Sequence, residues 1–266
     1  MTGLAYPNIS PVIFELGPFA LRWYSMAYLI GILAGWWLVS LRAKKYELPL
    51  TKQNLEDIAF YMTLGIILGG RIGYVLFYGR EHFLANPIEI FELWHGGMSF
   101  HGGIVGVIGA LWLVSKKIKY GFLSLTDLVS PVVPIGIFLG RLANFANDEL
   151  WGRVSDVPWA IRFPRGGYVP RHPSQLYEAL LEGLFMFLIL NLAWKCEFFR
   201  KRQGLISALF LLLYASFRAF CEQFREPDAQ IGFLWLNTTM GQLLSLPAMG
   251  LGIFLLMRAF YKKIKP

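Results

Sequence analysis

Residues 128–153 read LVSPVVPIGIFLGRLANFANDELWGR. The first half is apolar, as the end of a membrane helix would be. The second half, 140–153, packs Arg141, Arg153, Asn144, Asn147, Asp148 and Glu149 into fourteen positions. A helix that merely leaves a bilayer needs no such polarity. The stretch therefore marks a span and a candidate site at its end.

The rest of the chain supports a membrane reading. Of its 266 residues 56% are hydrophobic and 16% charged, and the mean hydropathy is +0.49. Soluble domains carry about 25% charged residues. Hydrophobic windows predict seven spans, at about 18–40, 57–79, 100–115, 123–145, 174–194, 204–224 and 239–258. No basic residue precedes Arg22, so a cleavable signal peptide is not expected and the first span is expected to be retained.

Charge sets the expected orientation. Arg42, Lys44, Lys45 and Lys52 form one basic connection, and Lys116, Lys117 and Lys119 another. Lys195, Arg200, Lys201 and Arg202 form a third, and Arg258, Lys262, Lys263 and Lys265 lie in the tail. These segments contain every lysine in the chain. The positive-inside rule puts them in the cytoplasm, with the N-terminus outside. The net charge of +8 then reads as a topogenic signal, and a nucleic-acid partner is not expected. The expected architecture is an all-α polytopic membrane protein, residues 1–266 forming one integral domain. An external interfacial arm is expected at 80–99, where Phe91, Leu93 and Trp94 suit the headgroup level. A small external head is expected at 146–173, with VPWAIRF a short strand and PRGG a turn.

Two stripes of polar residues lie in the spans. On a continued helix, Arg141, Asn144 and Asp148 would share one face, with Glu149 close by. In span six, Tyr214, Arg218, Glu222 and Arg225 share another. Two arginines to one glutamate leave positive charge over, which suggests a bound anion. Arg71 lies mid-span in GIILGGRIGYVLF, where an acidic partner or a ligand would account for it. Arg22 is close enough to the outer interface to snorkel. His101 begins the glycine-rich HGGIVG stretch, and histidine is a residue type suited to accept a proton near neutral pH. Gly102 and Gly106 are spaced for close helix contact. In RHPSQLYEALLEG, 171–183, Ser174 looks like an N-cap, and Glu178 and Glu182 read as acids near a helix start. Cys196 and Cys221 are separated by most of span six and are not expected to pair. No metal-ligand cluster appears.

From the residues alone, four classes remain: an enzyme acting on a lipid headgroup, a transporter of an anion, a purely structural membrane scaffold, and an intramembrane protease. The last lacks a convincing nucleophile or paired aspartates. The motifs SMAYLIG, GGRIGYVLF, GGMSFHGGIVG, GRLANFANDELWG, RHPSQLYEALLEG and YASFRAFCEQFREPD occur here in order. Together they resemble the prolipoprotein diacylglyceryl transferases of bacterial inner membranes, over nearly the whole chain. The resemblance implies transfer of diacylglyceryl from phosphatidylglycerol to the lipobox cysteine of a preprolipoprotein signal peptide, forming a thioether and releasing glycerol-1-phosphate. It implies a multi-pass protein among membrane lipids, with its active site toward the periplasm, working in lipoprotein biogenesis and protein lipidation. It also implies catalytic roles for His101, Arg141, Arg218 and Glu149. Substrate-binding roles would fall to Tyr24, Asn144, Gly152, Tyr214, Glu222 and Arg225. No cofactor is expected, because the phosphate ester brings its own leaving group.

Overall fold

A computed structural model describes residues 3–17, 19–92, 96–227, 232–235 and 238–261. The chain forms two compact units, Met1–Gly35 with Asp127–Pro266, and Trp36–Thr126.

The first unit departs from expectation at its start. β2 (Val12–Leu16) and β3 (Phe19–Arg22) form an antiparallel hairpin, Leu16 opposite Phe19 and Val12 opposite Arg22. Gly17 turns the chain at φ +59°, which a residue without a Cβ adopts freely. The first helix, α1, is therefore Trp23–Lys45 and does not begin at 18. The Trp23 indole N–H donates to the Ser10 carbonyl at 2.9 Å and fastens helix to hairpin.

The span predicted over 123–145 is broken. α5 (Phe122–Val129) and α6 (Val133–Ala146) bend by 44° at the break. Pro131 lies in the break, lacks a backbone donor, and disfavours a helical Ser130. Beyond α6, β1 (Leu4–Ala5), β4 (Ile161–Arg162) and β5 (Pro170–Arg171) make a small sheet in that order. Its core is Tyr6, Ile161 and Phe163, packed by Phe145 and Trp151. The strand expected in VPWAIRF is thus present, shortened to two residues.

α7 (Ser174–Glu178), a π-helical segment (Ala179–Phe185) and α8 (Met186–Lys195) run on as one helix, Ser174–Lys195. A short α9 (Glu197–Arg200) leads to α10 (Leu205–Cys221). α11 (Met240–Tyr261) packs on α10, with Gly252 against Leu211 and Leu212. The first turn of α10 is capped from another helix. Asp127 accepts from the Gly204 N–H at 2.6 Å, the Ser207 N–H at 2.8 Å and the Ser207 hydroxyl at 2.7 Å. A buried carboxylate here satisfies amides that a helix start leaves without partners.

The second unit is built on α2 (Lys52–Phe77) and α4 (Phe100–Lys117), joined through α3 (Arg80–Ala85) and a 3₁₀ turn, Pro87–Phe91. Thr51 and Asn54 form a reciprocal capping box at the start of α2, and Ser99 caps α4. Glycines bring the two helices into backbone contact. A Cβ on Gly65 would lie 2.6 Å from the Gly106 carbonyl oxygen, and one on Gly73 would lie 2.7 Å from Gly102 Cα. The close approach expected of Gly102 and Gly106 is therefore made, against Gly65, Gly69 and Gly73. On the other side of α2, Leu64, Leu68, Ile72 and Leu76 are exposed at four-residue intervals.

Among the described residues, four helices are long and apolar enough to cross a membrane: Trp23–Lys45, Lys52–Phe77, Ser174–Lys195 and Met240–Tyr261. Taking the bent α5–α6 pair as one span makes five, and α10 is a shorter apolar helix. Exposed leucine and isoleucine stripes of this kind suit hydrocarbon rather than water. The chain is a multi-pass, predominantly helical membrane protein. Leu93 and Trp94 lie outside the described residues, while Leu84, Ile88 and Phe91 of the 80–99 segment are strongly exposed.

Candidate active site

α6 ends at Ala146, and this reshapes the motif that opens the sequence. Asp148 has a left-handed backbone (φ +52°) and its carboxylate accepts the Arg165 N–H at 2.7 Å. The helical face expected to join Arg141, Asn144 and Asp148 is therefore not formed, because the helix stops before Asp148. Asn144 instead donates to Glu149 Oε1 at 2.9 Å and to the Tyr24 hydroxyl. Tyr24, Asn144 and Glu149 thus make one chain of polar contacts in the first unit.

The acids paired with the arginines come largely from the next helix. Glu178 and Glu182 flank the start of the π-helical segment and have no exposed side-chain surface. π-Helical turns are rare and concentrate at functional sites. Glu178 Oε2 lies 2.7 Å from Arg141 Nη2 of α6 and 2.7 Å from Arg218 Nη1 of α10. Glu182 stands further off, 3.4 Å from Arg141 Nη2 and 3.6 Å from Arg218 Nη1. Glu222 completes the group, 2.5 Å from Arg218 Nη2 and 4.0 Å from Arg225 Nε, with its other oxygen accepting from the Thr239 hydroxyl at 2.6 Å. Tyr214 stacks on Phe210, 6.2 Å between ring centroids, and faces the same charges.

Two consequences correct the sequence reading. Arg141, Arg218 and Arg225 meet three glutamates, so the positive surplus inferred from span six is matched in this cluster. And Glu178 and Glu182, read as acids at a helix start, are its centre. Their signal was present: two acids four residues apart in an apolar span are costly unless paired.

Backbone contacts brace the cluster from the segment that follows α6. Gly152 pairs with Arg225 in an isolated bridge, and its N–H donates to the His172 carbonyl at 2.8 Å. A Cβ there would lie 2.5 Å from the Phe224 carbonyl oxygen and 2.6 Å from that of His172. Glycine is required at 152 for this approach. Arg153, which carried no role in the sequence, donates to the Arg225 carbonyl at 3.0 Å and the Glu222 carbonyl at 3.2 Å. It thereby holds the end of α10. Arg171 packs 4.2 Å over the Trp151 ring and pairs with Glu226 at 3.1 Å. The Tyr6 hydroxyl donates to the Phe145 and Ala146 carbonyls, at 2.9 and 3.0 Å, at the end of α6. Burial, then the nearby Asp148 charge, raises the Tyr6 pKa above its usual value.

His172 joins a short relay. The Trp159 N–H donates to the Tyr177 hydroxyl at 2.6 Å, and that hydroxyl lies in hydrogen-bond contact with His172 Nδ1 at 3.1 Å. Burial, followed by the Arg153 charge and opposed by Asp156, lowers the His172 pKa.

The second unit holds His101 and Arg71. His101 lies exposed in the first turn of α4, edge-on to Phe100 at 5.6 Å. Arg71 is buried, and its hydrogen-bond partners among the described residues are backbone carbonyls. Its guanidinium donates to the carbonyls of Ile90 at 2.8 Å, Gly96 at 2.5 Å, Gly97 at 3.2 Å, Glu89 at 2.5 Å and Glu92 at 3.3 Å. It is the hub of the segment that leads into α4.

A family model for prolipoprotein diacylglyceryl transferase matches residues 11–258. The chain belongs to the prolipoprotein diacylglyceryl transferase family. A phosphatidylglycerol–prolipoprotein diacylglyceryl transferase of Rhodospirillum rubrum is 52% identical over 265 residues, covering 99% of this chain and 96% of that protein. Proteins of the same name from Rickettsia felis and Rickettsia bellii are each 50% identical, over 253 and 261 residues. The alignments cover 95% and 98% of this chain, and 98% and 99% of those proteins. Members of this family are transferases by name, and the apolar helices of this chain fit a membrane enzyme.

Proposed function

We propose that this transferase holds the phosphate of phosphatidylglycerol between Arg141 and Arg218. The chain is a phosphatidylglycerol–prolipoprotein diacylglyceryl transferase, an enzyme of lipoprotein biogenesis. One observation carries the assignment of the site: guanidinium nitrogens from two helices converge on a single anionic oxygen, Glu178 Oε2, each at 2.7 Å. An arrangement that focuses two charged donors on one oxygen suits a phosphate whose charge grows as its ester bond breaks.

In the proposed reaction the lipobox thiolate attacks the glycerol carbon that bears the phosphate. The new S–C bond forms as the C–O bond breaks, and the electron pair leaves on the phosphate oxygen of glycerol-1-phosphate. A thiol with a pKa near 8.5 must first lose its proton. His101, or else Glu149, accepts it. Tyr24, Asn144 and Tyr214 hydrogen-bond the headgroup or the arginines, Glu222 orients Arg218 and Arg225, and Gly152 lets the backbone close around the substrate. The proposed setting is the bacterial inner membrane, with seven spans, an outward N-terminus, a cytoplasmic C-terminus and the site toward the periplasm. Residues 80–99 then form the external arm and 146–173 the head.

Purified protein given phosphatidylglycerol and a lipobox peptide tests this. The peptide should gain a diacylglyceryl mass with stoichiometric glycerol phosphate release, and a Cys→Ser peptide should gain none. Arg218→Lys keeps the charge and loses the planar fork. Wild-type turnover in that variant would remove the two-arginine clamp.

A further inference from the structure

The arginine cluster is electrically closed before any substrate enters. Three guanidiniums face the carboxylates of Glu178, Glu182 and Glu222 at the distances given above. A phosphodiester brings one further negative charge. In a buried setting an uncompensated charge is costly, and the usual remedy is a proton.

We propose that Glu182 is the counter-charge of this site: it takes up a proton when the anionic phosphodiester binds, and returns it when the product leaves. The inference rests on the phosphate assignment and extends it. Geometry selects Glu182 among the three acids. Glu178 is gripped at 2.7 Å by two guanidiniums. Glu222 is gripped at 2.5 Å by Arg218 and at 2.6 Å by Thr239. Glu182 has only its 3.4 and 3.6 Å contacts; among the described residues its Oε1, like that of Glu178, has no hydrogen-bond partner although both side chains are fully buried, but Glu178 keeps its two 2.7 Å pairs and Glu182 has no contact that short. It is the acid with the least to lose by becoming neutral.

The surroundings of Glu182 agree with this. α6 presents Arg141, α7 presents Glu178, and α10 presents Tyr214, Arg218 and Cys221. Glu222 and Arg225 lie beyond Arg218 and Glu178. An ionised Glu182 would repel a phosphate oxygen drawn in by Arg141 and Arg218. A protonated Glu182 presents an O–H, and a phosphate oxygen is the acceptor that this unpaired position lacks. One proton from solvent enters with each lipid and forms the Glu182 O–H bond, and no other covalent bond changes in the step.

The test is calorimetric titration of the full-length protein in detergent with dihexanoyl phosphatidylglycerol. It is run at one pH in two buffers of different ionisation enthalpy, with uncharged dihexanoylglycerol as control. Wild type should take up about one proton per lipid bound, and its dissociation constant should rise by up to about tenfold per pH unit where the empty site is ionised. Glu182→Gln should bind phosphatidylglycerol without proton uptake, with a flattened pH dependence and tighter binding at alkaline pH. The uncharged lipid should bind without protons in both. Binding by wild type with no proton uptake overturns the proposal, as does equal uptake in Glu182→Gln. The wild-type titration decides the first point even if the variant does not fold. A folded wild type that binds the uncharged lipid but shows no preference for phosphatidylglycerol would instead overturn the phosphate site itself.

Discussion

Arg71→Lys separates a structural arginine from a functional one. Arg71 serves five backbone carbonyls, three of them at 2.8 Å or less, and its Cζ packs 5.0 Å from the centre of the Phe83 ring. Hydrogen bonds from a charged group contribute about 1.5–3 kcal/mol each. Lysine keeps the charge but has one nitrogen on a flexible stem, where the planar fork reaches in several fixed directions. At least one of the three short bonds is lost, so a destabilisation of about 2–3 kcal/mol is expected. For a chain of this size, about 2–4 °C of melting temperature accompanies each kcal/mol. The variant should therefore melt roughly 4–12 °C lower in detergent. Amide exchange should rise at Gly96–Ser99, the residues that lead into α4. The assay pairs tryptophan-fluorescence melting with hydrogen–deuterium exchange. Wild-type melting together with wild-type protection across Gly96–Ser99 would refute the view of Arg71 as a carbonyl hub.

Three further outcomes are expected. Gly106→Ala puts a Cβ into the Gly65 carbonyl, where no rotamer relieves it, and should cripple folding, whereas Gly109→Ala meets nothing within 4 Å and should be neutral or stabilising by up to about 1 kcal/mol; comparing the yield and melting of the two checks it. Asp127→Asn can no longer accept from both the Gly204 and Ser207 amides without presenting its own N–H groups to one of them, and should cost about 1–3 kcal/mol, read as increased exchange in the first turn of α10. Because the folded-state pKa of His172 is depressed, its contribution is fully present above about pH 6.5 and is lost as the pH falls through the lowered value. Melting curves should therefore show a wild-type loss below pH 6.5 that His172→Phe lacks, and identical slopes in the two proteins would exclude it.

What the sequence discloses is mostly what one dimension can carry. Apolar run lengths placed the helices of 52–77, 174–195 and 240–261 to within a few residues, because hydrocarbon selects composition directly. Arg141 and Arg218 stood out for the same reason, as charges where charge is costly. Partners were harder. Glu178 was visible as an acid, but a helix start and an arginine pair some forty residues away explain it equally well until α6, α7 and α10 are packed together. The carbonyl partners of Arg71 are not legible in the sequence, because a backbone carbonyl leaves no mark there. The hairpin at 12–22 was hidden because its apolar residues extend the hydrophobic run of α1. Asp148 was assigned to a helix whose end, in a left-handed turn at a non-glycine residue, carries no reliable local signature.

The π-helical stretch Ala179–Phe185 has a genetic consequence. Losing a single codon there would leave an apolar helix long enough to cross a bilayer, and hydropathy would scarcely register the change. The wider turn could then close as α-helix, and α8 would keep roughly its facing, whereas the same loss within α8 would rotate everything beyond it by about 100°. Deleting Leu180 would still change the spacing of Glu182 from Glu178, so the helix would survive while the acid pair would not keep its register.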